Sequence, residues 1–61
     1  MNEYEFPTIC TLAKRYDGTY YTSWVQATYT GENTPKGNGY YESDDGEHLY
    51  ILKDSILVEV Y

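Results

Sequence analysis

Sixty-one residues carry ten acidic side chains against four basic ones, a net charge of −6, with nine tyrosines but one cysteine, one histidine and one tryptophan. A lone cysteine excludes an intrachain disulfide, and one cysteine with one histidine excludes a four-ligand structural zinc site. The length allows a single small acidic β domain, residues 1–61, whose stability must come from good packing or from association with another chain.

Charge and composition narrow the partners further. A surplus of carboxylates disfavours direct contact with nucleic acid and with anionic membrane surfaces, and suits a partner with a basic groove. No stretch approaches the roughly 18 apolar residues of a membrane helix. The opening Met1-Asn2-Glu3-Tyr4-Glu5 has neither a basic region nor an apolar run, and Cys10 is alone, so the expected setting is cytoplasmic. Tyr, Thr, Val and Ile together favour strands.

The chain divides into short β-forming runs separated by turn chemistry. Residues 6–16 and 19–30 flank Asp17-Gly18, which predicts a hairpin closed by a two-residue type I′ turn. That turn places Cys10 opposite Val25 and Leu12 opposite Ser23. Cys10, Leu12, Tyr21, Val25, Ala27 and Tyr29 then share the core face. Ile9, Thr11, Ala13 and Arg15, with Tyr20, Thr22, Trp24 and Gln26, share the other. Residues 31–39, GENTPKGNG, read as a loop. It is no phosphate-cradling loop, which needs Gly-Lys-Ser/Thr opening a helix.

Residues 40–43 and 48–52 predict a second hairpin about Asp44-Asp45-Gly46-Glu47, and 56–60 a final strand. The expected fold is all-β: a five-stranded antiparallel meander, as an SH3-like barrel or curled sheet. An alternative is α+β, because Leu49, Leu52, Ile56 and Val60 also fall at helical spacing over 48–60. The β-branched residues in that run favour strands. The terminal ILVEVY lacks the Lys, Pro or bulge that protects a sheet edge.

Few groups could carry chemistry. Cys10 and His48 are the only nucleophile–base pair, and nothing in the sequence brings them together; no cofactor or metal is implied. The acidic run around Gly46 departs from a calcium loop, since Asp44 and Asp45 are adjacent and position 52 is Leu. What remains is a surface. Tyr20, Trp24, Tyr40 and Tyr41, flanked by Glu42, Asp44, Asp45 and Glu47, form the expected partner-binding site, with aromatics supplying contact area and carboxylates steering towards a basic partner.

In size, charge and aromatic content the chain resembles the small inhibitors made by phages and mobile elements. That resemblance implies a non-catalytic inhibitor or adaptor occupying the basic surface of a nuclease, restriction or polymerase-type host protein, in some cases by mimicking DNA phosphates. The alternative expectation is a self-assembling subunit, such as a homodimer, pairing through its tyrosine face and C-terminal strand.

Overall fold

Leu12 interrupts the first predicted strand, and the two halves go to opposite ends of the sheet. The computed structural model describes residues 6–60. It contains β1 (Thr8–Thr11), β2 (Ala13–Lys14), β3 (Val25–Asn33), β4 (Gly39–Ser43), β5 (Leu49–Lys53) and β6 (Ile56–Glu59). They form one six-stranded sheet in the order β1-β3-β4-β5-β6-β2. β1 pairs antiparallel with β3, and β2 pairs parallel with β6. Because β1 and β2 are joined by one residue, the sheet curls round on itself and nearly closes into a barrel. The Leu57 N–H donates to the Leu12 carbonyl across the seam, and the Thr11 hydroxyl donates to the Ser55 carbonyl.

The fold is therefore all-β with six strands rather than five, and one pairing is parallel. Two of the strands occupy the stretch with helical spacing. Lys53 lies opposite Ile56, and the intervening Asp54 and Ser55 both have positive φ, 54° and 66°, the mark of a type I′ turn. The final strand is not a free edge, since β2 covers it at Leu57 and Val58.

The first hairpin departs from its predicted register. Gly18 N–H donates to the Arg15 carbonyl, and Arg15 N–H donates to the Thr19 carbonyl. The loop is thus Tyr16-Asp17-Gly18, a turn ending on a left-handed glycine at φ 96°. Asp17 Oδ1 accepts from both the backbone N–H and the hydroxyl of Thr19, which secures the three-residue form and holds its carboxyl below the usual range. Further down, the second arm bulges through Thr22 and Ser23, and β1 then meets β3 with Cys10 opposite Gln26 and Thr11 opposite Val25. This is one residue away from the predicted pairing. A one-residue slip exchanges the two faces of a strand. Cys10 and Leu12 consequently point outward, while Ala13 is fully buried. On β3 the predicted face holds: Ala27 is buried, with Val25 and Tyr29 packed beside it.

The predicted 31–39 loop is shorter than expected: β3 runs on through Asn33 and β4 begins at Gly39, leaving the five residues Thr34–Asn38 as the tip between them. Gly31 allows a bulge there. Its φ is +94°, and a Cβ would lie 2.9 Å from the Phe6 ring.

The buried core is five residues: Ala13, Ala27, Tyr41, Tyr50 and Leu57. Tyrosines fill the space that leucine or phenylalanine fills elsewhere. Tyr29 tilts against Tyr41 at 5.3 Å, Phe6 meets Tyr29 edge-on at 5.7 Å, and Tyr21 meets Tyr50 edge-on at 6.4 Å.

Candidate functional site

The slip of β1 creates a surface. Along β1 the outward residues are Thr8 and Cys10, and Leu12 continues them; along β3 they are Gln26 and Thr28, preceded by Trp24. Register joins these into rows: Thr8, Thr28 and Glu42 lie side by side, and Cys10 lies beside Gln26. The Gln26 amide reaches Asp44 Oδ2 at 3.3 Å. The outer face of β1–β3–β4 thus carries Trp24, 66% exposed, and Leu12, 45% exposed, with Glu42 and Asp44 on its β4 side.

The predicted binding residues are divided by the fold. Trp24, Glu42 and Asp44 share this face. Asp45 and Glu47 project at the neighbouring β4–β5 tip. Asp45 also secures that tip, since its Oδ1 accepts from the Ser43 hydroxyl at 2.6 Å and from the Glu47 N–H, which holds its carboxyl below the usual range. The acidic stretch is therefore a capped turn that also projects charge. Tyr41 leaves the surface altogether, being 8% exposed in the core. It adjoins Tyr40 on a strand, so the two rings must point to opposite faces.

Tyr20 and Tyr40 belong to a second face. Tyr40 lies opposite Ile51, Ile51 opposite Val58, Val58 opposite Lys14, and Lys14 opposite Tyr20. This single row crosses the outside of β4, β5, β6 and β2. Two adjoining depressions flank it, of about 460 and 320 Å³, and both are bordered by Lys53 and Val58. Between them they take in Lys14, Lys36 and Lys53, which are all the lysines in the chain. Lys14 Nζ sits 5.3 Å from the centre of the Tyr20 ring. In the strand order β3 and β6 stand three places apart out of six, so the acidic face and the lysine face are centred on different sides of the barrel and adjoin along β4, where Tyr40 and Glu42 share the outer side.

A third feature has no signature in the sequence. An open, shallow depression of about 540 Å³ is lined by Arg15, Tyr21, Thr22, Ser23, His48 and Glu59. Glu59 is its centre. Its side chain is 10% exposed, with Oε2 2.9 Å from His48 Nδ1 and accepting the Tyr21 hydroxyl at 3.0 Å, while Oε1 accepts the Tyr16 N–H at 2.9 Å. Burial, then the contacts with Tyr50 and Glu59, push the Tyr21 hydroxyl well above the ordinary phenol value. The Arg15 guanidinium lies 4.6 Å over the Tyr21 ring. No motif announces this cluster, because its members come from three distant segments. Cys10 is not part of it: it lies exposed on β1, and β3 and β4 stand between β1 and the strand that His48 precedes. Among the described residues no three His, Cys, Asp or Glu side chains converge as a metal site, and no helix is long and apolar enough to cross a membrane.

Comparison with protein-family models, curated proteins and solved structures returned no match.

Proposed function

We propose that the chain is a non-catalytic protein-binding module, a small acidic inhibitor or adaptor of the phage or mobile-element type. It sets Trp24 and the adjacent carboxylates on a basic surface of a larger nuclease, restriction or polymerase-type protein. One observation carries this reading. In a molecule with a five-residue core, the only tryptophan stands 66% exposed just before β3, and Leu12, just after β1, is 45% exposed. Burying that ring would be the natural use of it in so small a core, and exposed Trp is the commonest anchor of protein interfaces. Glu42 and Asp44 lie on the same outer face, Asp44 meeting Gln26 of β3, Asp45 and Glu47 project at the adjoining tip, and among the described residues none of the four forms an ion pair. Their field would draw in a basic partner and orient it. The three carboxylates at the tip cluster on one turn rather than running along a line, which supports steering of a basic patch more than imitation of a duplex.

The test is parallel capture from a host lysate with tagged wild type, Trp24→Ala and the double variant Glu42→Lys/Asp44→Lys, each shown to be folded by circular dichroism. Asp45 is left intact because it caps its turn. A basic protein retained by wild type, lost by both variants and released by salt supports the reading. Equal retention by all three removes it.

A further inference from the structure

The surface that would fit the Trp24 face is present on the same molecule. We propose that copies of this chain associate head to tail, the Trp24 face of one docking on the lysine face of the next. This rests on the reading of the Trp24 face as a docking surface, and names a partner for it.

The two faces complement each other in two respects. The first is charge: Glu42 and Asp44 border one, while Lys14, Lys36 and Lys53 border the other, with Asp54 the one carboxylate among the residues lining the depressions. The second is shape and polarity. Trp24 and Leu12 protrude, and the lysine face offers depressions floored by Tyr40, Ile51 and Val58. Pairing either face with its own kind would set carboxylate against carboxylate or ammonium against ammonium, so a two-fold dimer through one face is disfavoured. A heterologous contact joins unlike surfaces and leaves one of each free on a pair, so it grows beyond a dimer, into a ring if the rotation closes and into a chain if it does not. The accessible surface is 4403 Å², and a standard interface takes roughly 800 Å² per partner, so each face can supply the area. The net charge of −6 repels copies at a distance, but beyond a Debye length of about 8 Å at physiological salt that repulsion is screened and the charges in contact decide. A nucleic-acid strand would meet the same three ammonium groups, yet it has no counterpart to the protruding Trp24 and Leu12 pair.

Sedimentation of the full chain from about 5 to 500 µM tests this at low and high salt. The wild type should grow in mass beyond a dimer with concentration and return to monomer in high salt. Two variants each disable one face: Glu42→Lys/Asp44→Lys and Lys14→Glu/Lys53→Glu. Each alone should stay monomeric. Mixed through their intact faces they would still present two reversed faces that also attract each other, so the decisive mixture uses neutral lesions, Trp24→Ala/Leu12→Ser with Lys14→Gln/Lys53→Gln. That mixture should give a one-to-one complex and nothing larger. Trp24→Ala alone should weaken assembly about tenfold or more, as loss of an anchor does.

A wild type that is monomeric throughout, assembly surviving either lesion, or no complex in the mixture overturns the proposal. So does a single-stranded oligonucleotide bound by wild type and lost with Lys14→Gln/Lys53→Gln when no self-association is found. Titration with poly-lysine separates this failure from failure of the wider reading. If the Trp24 indole signal shifts while copies do not associate, only the head-to-tail proposal falls; if neither occurs, both fall.

Discussion

Glu59 shows how much one side chain can hold in a small barrel. Its carboxylate binds the backbone of the first hairpin at Tyr16, the Tyr21 hydroxyl and the His48 ring, joining both the first hairpin and the start of β5 to β6. Removing it leaves the Tyr21 hydroxyl with only a long contact to Tyr50. Hydrogen bonds to charged groups contribute about 1.5–3 kcal/mol each, and they are not additive here because His48 and Tyr16 can turn to water. Glu59→Ala should therefore cost about 2–3 kcal/mol in urea unfolding, a large share of the stability of so short a chain. Tyr21 adds a pH signature. Its folded pKa is raised above the ordinary 10.0, so the stabilisation is full below about pH 10 and is lost as pH rises through the folded value, because the unfolded chain ionises first. Tyr21→Phe should be less stable than wild type near neutrality yet lose stability less steeply above about pH 10; denaturant titrations on both sides of that pH measure the slopes. Equal slopes would mean that this hydroxyl does not limit alkaline stability. None of this is legible in the sequence, where Cys10 is the only nucleophile to set beside His48 and Glu59 looks like one more solvated acid.

At the scale of elements, the strands are legible because β-forming residues are separated by Asp, Gly, Asn and Pro. The faces of the first strand are not. Two unequal deviations, a three-residue loop at Gly18 and a bulge at Thr22 and Ser23, move the register by one residue, and neither is visible in alternation. Alternation puts Trp24 outside, as the structure does, but it puts Cys10 and Leu12 inside. The missing information is the bend at Leu12 that closes the barrel. The turns mislead in a related way. Asp17-Gly18 has the residues of a type I′ turn but forms a longer loop, while Asp54-Ser55 forms the type I′ turn without glycine. Serine at φ 66° is strained where glycine is not. Ser55→Gly should thus raise stability by about 0.5–1 kcal/mol, less the entropy that glycine loses, with the Thr11 contact retained because it uses the Ser55 carbonyl. Gly31→Ala should act in the opposite direction, since its φ of +94° and the Phe6 ring 2.9 Å from the new Cβ both oppose it. Thermal unfolding of the two variants side by side checks the signs.

For the whole molecule, net charge is a poor guide to surface character. A net charge of −6 describes a chain whose lysines all border one face and whose hairpin carboxylates border another. Composition alone cannot show this, because the residues of the lysine face come from β2, β4, β5, β6 and the loop after β3 and meet only through the curl of the sheet. Size then links surface to stability. A core of five buried residues leaves Leu12, Tyr16, Tyr20 and Trp24 at least 45% exposed, so apolar area that a larger domain would bury internally is left for contact between molecules. Association that occurs only in the folded state stabilises it by mass action. If copies dock as proposed, the melting temperature of wild type should rise with concentration over about a hundredfold range, and high salt should flatten that rise. Trp24→Ala should melt near the dilute wild-type value at low concentration and rise only at concentrations about tenfold or more higher, because the ring is exposed and its loss weakens contact between copies without opening a cavity. A melting temperature independent of concentration in wild type would show that the barrel is held by its own tyrosine packing and the Glu59 cluster alone.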